Sequence, residues 1–357
     1  MKKQLAVLLA AGLAVSAAGC SKTANTNETD VTAADTTEAD AKEEGTEESA
    51  RETLTGHITL YTSQPEEDAE KLINGFNKEY PDITVDVFRS GTEEVVSKVL
   101  AEKQVGALQA DVLLVADNVT YEGLKAEDLL LAYQSPELEG IPAEYVDTDY
   151  MYTGTKVITT GIVYNTDLVK EQITSFADLT RDDLKDGGIM PSPLYSGAAA
   201  YNLGVMTRNS SLGWEFYENL KSGGITVDKG NGAIQKAVVA GEKSWGILVD
   251  YMAVRSKNQG APVEFVYPAE GSPAVTEPIG ILKDSKMQDQ AKAFVDFVLS
   301  EEGQKLAAEM GYTPVKEGVA PPEGLKGISQ LKQMSADPKE LYADREADKE
   351  KFSQMFQ

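Results

Sequence analysis

The sequence predicts an α/β fold in two lobes, and three observations carry that expectation. Over residues 58–115 the apolar residues switch between the strand and helix periods in the order strand, helix, strand, helix, strand. That order belongs to a mostly parallel sheet with helices on its faces. The same theme returns over residues 157–251. The body from residue 55 to residue 357 holds roughly 300 residues, more than one hydrophobic core usually supports.

Two segments of different character precede that body. Lys2 and Lys3 are followed by an apolar run over 5–18 and then by Gly19 and Cys20. A cationic start, a short apolar stretch and small residues read as a secretory signal over 1–19, too short to span a bilayer as an ordinary helix. Cys20 is the only cysteine, so no intrachain disulfide can form. Its place after Ala17, Ala18 and Gly19 resembles the lipobox of bacterial lipoproteins. The resemblance implies a diacylated thiol that anchors an exported protein to the outer face of the cell membrane, on the periplasmic side where an outer membrane exists.

Residues 20–54 read as a tether. Between 21 and 52 there are ten acids against Lys22, Lys42 and Arg51, with no aromatic residue. Such a stretch buries too little apolar area to offset its ordering entropy, and its like charges keep it extended. The chain as a whole carries a formal charge of −25. An acidic surface argues against nucleic acid and anionic headgroups as partners, since both need a basic footprint. After the signal no apolar run reaches transmembrane length.

Within the body, 58–61 reads as the first strand. Ala69, Leu72, Ile73 and Phe76 follow at helical spacing until Pro81 stops the helix. A second strand is expected over 83–88, then a helix striped by Val95, Val96, Val99 and Leu100, then a third strand over 112–115. In sheets of this kind ligands collect at the carboxyl ends of the strands. Those ends carry Thr62, Ser63 and Gln64, then Ser90, Gly91 and Thr92 after Arg89, then Asp117 before Asn118. Hydroxyls and free N–H groups at a helix start bind anions, with the positive end of the helix dipole behind them. The same residue types also serve as ordinary helix caps. Their convergence on one cleft would make an oxyanion site without any lysine.

The second lobe is expected to open with a strand over 157–164, whose small polar centre at Thr159, Thr160 and Gly161 suits a crossing between lobes. A short strand and stop over 189–193 leads to Ser196 as N-cap of a helix running to about Met206. Gly197 and Ala198 there offer bare N–H groups to an anion. A strand over 244–249 ends at Asp250 and Tyr251, where the phenol is a ligand group or packs against the next helix. The first lobe is expected over about 55–158 with part of 265–357, and the second over about 159–264.

Catalysis is not expected. The single histidine, His57, lies at the far end of its strand from the loops, and a solvated position suits it there. General base work would need a His or paired carboxylates in the cleft. No G-x-S-x-G elbow and no P-loop occurs, and no spacing typical of metal ligands appears beyond the acids already named. No cofactor is implied, and an exported hydrolase is the weakest alternative.

Six segments together carry a family resemblance: 61–66 (YTSQPE), 88–93 (FRSGTE), 110–117 (ADVLLVAD), 160–165 (TGIVYN), 196–206 (SGAAAYNLGVM) and 291–304 (AKAFVDFVLSEEGQ). They resemble the substrate-binding proteins of ABC importers, in the group that holds ferric-iron, thiamine, phosphosugar and 2-aminoethylphosphonate binders. The resemblance implies a two-lobed, periplasmic-binding-protein-like (type II) fold that closes on its ligand like a hinged clamp. It also implies a monomer that hands a small anionic solute to a permease and its ATPase. The first two segments are closest to the 2-aminoethylphosphonate pattern. On that likeness a phosphonate or phosphate ester accepts from Ser63, Ser90, Thr92 and Ser196 and from the N–H groups of Gly91, Gly197 and Ala198. An ammonium at its other end would meet Asp250 or Asp117. The alternative is ferric iron on Tyr251 and Asp250 with an anion at Ser196, Gly197 and Ala198. Ferric iron wants several hard oxygens, and the position after the first strand falls at Gln64 and Pro65, which offer neither imidazole nor carboxylate.

Overall fold

The computed structural model describes residues 54–357; the signal, Cys20 and nearly all of the tether lie outside the described residues. Gly56–Thr62 (β1) runs parallel to Ile83–Arg89 (β2) on one side and Val112–Leu114 (β3) on the other. Glu66–Glu79 (α1) links β1 to β2 and Thr92–Gln104 (α2) links β2 to β3. Ala69, Leu72 and Phe76 are the buried face of α1, and its first turn is acidic, as the dipole favours. In α2 the buried stripe is narrower than the sequence predicts: Val95 and Val99 are buried, while Val96 and Leu100 are only half covered. The third strand stops one residue early, at Leu114. Asn118–Ala126 (α3) follows it, and Leu130–Leu131 (β4) pairs at the margin.

Thr153–Asn165 (β5) is the long crossing strand, buried at all thirteen positions. It begins four residues before the expected start at 157. Beyond it come Gly188–Pro191 (β6), Gly197–Arg208 (α4), Gly213–Ser222 (α5), Thr226–Asp228 (β7), Asn231–Val239 (α6), Trp245–Val249 (β8), Asp250–Asn258 (α7), Val263–Val266 (β9) and Ser272–Leu282 (β10). β5 pairs antiparallel with β10 over Thr153–Thr159 and with β8 and β9 over Thr160–Asn165. It therefore belongs to both sheets, and the change of partner falls at Thr159 and Thr160. Gly161 sits just past this change because β9 lies so close that a Cβ would stand 2.3 Å from the Val266 carbonyl oxygen.

The first sheet has the order β2-β1-β3-β10-β5, and the second continues β5-β8-β6-β7 with β8, β6 and β7 parallel. This is the two-lobed α/β architecture that the sequence predicts. The first lobe packs Ile58, Leu60 and Phe76 against Phe294 and Phe297 of Gln288–Leu299 (α8), with the Phe76 and Phe294 rings edge-on at 5.0 Å. Glu301–Glu309 (α9) follows α8. The second lobe is built on Ile162, Phe176, Phe216, Tyr217 and Trp245. Leu341 and Phe352 of Pro338–Phe356 (α10), a helix outside the sequence expectations, are buried in that same core. A further cluster holds Ala116 and Tyr312 from one side with Ala198 and Tyr251 from the other, so apolar packing continues between the lobes. Among the described residues no helix is long and apolar enough to cross a membrane.

Candidate functional site

Three parallel strands place their carboxyl ends side by side, and Thr62 ties the loops together. Its hydroxyl donates to the Leu114 carbonyl at 2.8 Å and accepts from Gln64 N at 3.1 Å, while its carbonyl accepts from Ser90 N. Fully buried, Thr62 shapes the site and has no hydroxyl proton to spare for a solute. Ser63 Oγ accepts from Ala116 N at 3.3 Å and reaches Glu277 at 3.5 Å. Gln64 donates to Glu277 at 3.1 Å, and its buried Oε1 has no partner. Arg89 is exposed and donates through Nε to the Gln64 carbonyl at 2.8 Å. Ser90 bonds Glu94.

In the second lobe Ser196 caps α4 as the sequence predicts: Ser196 Oγ accepts from Ala199 N at 3.3 Å, and Asn231 Nδ2 approaches the same oxygen at 3.4 Å. A hydroxyl has one proton and two lone pairs, so a Ser196 Oγ used twice as acceptor keeps its proton for an incoming anion. The helix runs to Arg208, two residues past the expected end.

The two lobes bring these loops into contact. A Cβ on Gly91 would stand 2.6 Å from the Tyr195 carbonyl oxygen, and one on Gly197 would stand 2.8 Å from the Thr92 side chain. Glu93 N donates to that Tyr195 carbonyl at 3.3 Å, and Lys229 of the second lobe pairs with Glu94 at 3.0 Å. The N-terminal ends of α2 and α4 thus face each other across the cleft, each with first-turn N–H groups that lack intrahelical acceptors.

The acids and Tyr251 are placed differently from the sequence expectation. Asp117 caps α3 through Thr120 N at 2.7 Å and forms a forked pair with Arg345 at 2.9 and 3.2 Å. Its carboxylate is committed inside the protein. Asp250 Oδ1 accepts from Thr159 N and Tyr251 N, and its Oδ2 accepts from Tyr267. Burial pushes this carboxyl up to about 7. Tyr251 is buried, its ring centroid 4.3 Å from that of Tyr312. Burial holds both phenols well above their ordinary value. Tyr312 donates to Asp68 at 2.6 Å, and Arg255 makes a forked pair with the same carboxylate at 3.2 and 3.1 Å, bridging α1 and α7. The expected tyrosine–aspartate pair is replaced in space by two tyrosines distant in sequence.

Lys156 and Glu277 are candidate site residues outside the sequence expectations. They form a buried pair at 2.5 Å, and Glu277 is the acceptor for Gln64. A lysine inside a buried strand is a signal in itself, because such a charge needs a partner. Arg345 and Lys349 of α10 are likewise new. His57 is half exposed beside Asp86, at the far end of β1 from the loops, as expected. Among the described residues no group of three or more His, Cys, Asp or Glu is arranged to hold a metal ion.

Residues 62–305, more than half of the chain, match the family model of bacterial extracellular solute-binding proteins. The chain belongs to that family. A probable ABC transporter periplasmic-binding protein of Sinorhizobium fredii is 25% identical over 247 residues, covering 65% of this chain and 67% of its own. The Fe(3+)-binding periplasmic protein of Serratia marcescens is 24% identical over 261 residues, covering 70% and 75%. Among solved structures, the periplasmic binding protein AfuA of Actinobacillus pleuropneumoniae, with exogenous fructose-6-phosphate bound, superposes with a TM-score of 0.78 at 24% identity. That match covers 85% of this chain and 99% of AfuA. The fold and the family agree with the sequence expectation of a two-lobed binding protein.

Proposed function

We propose that this solute-binding protein is the capture component of an ABC importer. It closes on a small oxyanion, an organophosphonate or phosphate ester, and hands it to a permease and its ATPase. The observation that carries this is the apposition of two helix starts from opposite lobes, α2 at Thr92 and α4 at Gly197. Their dipoles and free N–H groups point positive ends at one place, and Ser196 adds a hydroxyl proton. Lys156 connects to the first-lobe loops only through Glu277, which also accepts from Gln64, and Arg255 faces Asp68. Asp117 and Asp250 are both engaged inside the protein, so an ammonium on the solute is left with Glu94, exposed beside Ser90, which it would share with Lys229.

The proposal extends to anchoring: a lipid on Cys20 and the acidic tether would hold the body at the membrane surface.

Ferric iron is the second candidate, because Tyr251 and Tyr312 bring two phenols together. Against it, Arg255 and Lys156 lie over these rings at 5.3 and 4.8 Å, and two cations there oppose a third. Both phenols are also held in the neutral form by burial.

Thermal-shift screening of the purified protein against 2-aminoethylphosphonate, sugar phosphates, thiamine and a ferric salt tests the proposal. A solute at a hundred times its Kd adds about 2.7 kcal/mol to stability. An organic oxyanion should raise the melting point. A response to the ferric salt alone, with a coloured protein, would overturn the oxyanion assignment in favour of iron.

A further inference from the structure

We infer that α10 is a clasp that grips both lobes and holds the cleft shut. Its regulatory meaning rests on the solute-capture function proposed above; the mechanical inference does not.

The helix presents two working faces. Glu340, Asp344 and Asp348 recur every four residues and so share one side. All three pair with Arg208 of α4, at 3.4, 2.8 and 2.6 Å. With Leu341 and Phe352 buried in the second-lobe core, this side fixes α10 to the second lobe. Tyr342, Arg345 and Lys349, spaced by three and four, lie on another side and face the first lobe. The Tyr342 ring packs on Gly123 of α3. Arg345 bonds Glu93 at 2.8 Å, both oxygens of Asp117 and the Thr120 hydroxyl, and Lys349 bonds Glu93 at 2.7 Å.

These first-lobe partners stand at the cleft. Glu93 is in the first turn of α2, and Asp117 caps α3 at the end of β3. Asp117 adopts φ 71°, a conformation costly for a residue with a Cβ and kept only where surroundings enforce it. Here Thr120 N on one side and the Arg345 fork on the other enforce it. Burial opposes the charge on Arg345, but Asp117 and Glu93 more than restore it. Burial likewise opposes the charge on Glu93, and Arg345 and Lys349 still hold its carboxyl below the usual range.

The lobes are also joined by β5, which changes partner at Thr159 and Thr160, and they touch through Glu93 N and the Tyr195 carbonyl, Lys229 and Glu94, and Arg255 and Asp68. Because α10 moves with the second lobe, opening the cleft pulls Arg345 and Lys349 away from Asp117 and Glu93. It leaves partly buried charges unpaired. Closure is therefore favoured before any solute arrives, and the solute adds to an existing bias.

The test measures lobe separation without solute. Spin labels on Val105→Cys and Leu168→Cys, in full-length protein carrying Cys20→Ser, report the distance between lobes. The parent protein should show a dominant short distance, and Arg345→Met should lower that closed population at least threefold. The pair Glu93→Gln and Lys349→Met, from opposite sides of the contact, should each shift it the same way. These two serve if Arg345→Met does not fold. Folded variants that keep the parent distance distribution overturn the clasp. No solute enters the measurement, so a failed solute screen leaves it standing, and an unmoved distance leaves the oxyanion proposal intact.

Discussion

Gly197 of the second lobe lies so close to Thr92 of the first that a Cβ would stand 2.8 Å from three atoms of the threonine side chain. Two helix starts can meet this closely only because one of them lacks a side chain. The contact exists only when the lobes are together, so a group added there acts on closure and spares the separate lobes.

Gly197→Ala should therefore weaken solute binding, and should cost the unliganded protein stability only as far as its closed state outweighs the open one. Overpacking costs about 1–3 kcal/mol, which corresponds to roughly five- to a hundredfold in affinity. Titration calorimetry alongside thermal melts checks this. A variant with parent affinity would mean that the two helix starts separate in the bound state.

Ser196 and Tyr251 distinguish oxyanion from iron. Losing a charge-assisted hydrogen bond costs about 1.5–3 kcal/mol, so Ser196→Ala should weaken phosphonate binding by roughly ten- to a hundredfold. It also removes the cap on Ala199 N, about 1 kcal/mol of stability, which a melt measures separately. Tyr251→Phe should change phosphonate affinity less. If the loaded protein is coloured and Tyr251→Phe bleaches it, iron is the cargo.

The helix starts were legible because they depend on local chemistry. Ser196 before Gly197 and Ala198 specifies an N-cap whatever surrounds it, and the strand ends follow from apolar periodicity. The partners of Asp117 and Tyr251 depend on tertiary contacts instead. Arg345 comes from a helix 228 positions further along, and Tyr312 reaches Tyr251 from beyond α9. No local pattern announces either. Lys156 stood one residue before the strand expected at 157, and the longer β5 is what buries it.

The Asp68–Arg255 pair that bridges α1 and α7 is open to a stability test. Asp68 is fully buried, and Arg255 is its cationic partner. Arg255→Met leaves that carboxylate with only the Tyr312 hydroxyl, and uncompensated buried charges cost about 3–5 kcal/mol. The urea midpoint should fall accordingly. Asp68→Asn combined with Arg255→Met should recover much of the loss, since the pair is coupled. A double variant as weak as the sum of the singles would show the two residues acting independently.

Anchoring needs only fractionation. Cys20→Ser should move the protein out of the membrane fraction or leave it unprocessed, with solute affinity unchanged. A Cys20→Ser protein that still carries lipid and sediments with membranes would exclude Cys20 as the anchor.

Asp250 gives the pH dependence. Burial raises its carboxyl from 3.8 to about 7, so the folded state holds a proton that the unfolded chain releases between those values. Its contribution to stability is complete below about pH 4 and is lost as pH rises through 7. At about 1.4 kcal/mol per pKa unit, the loss approaches roughly 4 kcal/mol above pH 7. Asp250→Asn keeps an oxygen for Thr159 N and Tyr251 N without a charge to bury. Relative to the parent, it should gain stability from about pH 4 to about pH 7 and level off above that, read as a difference in melting temperature that grows and then stays constant. Parallel melting curves across that range would mean that Asp250 is ionised in the folded protein, with its three donors outweighing the cost of burial.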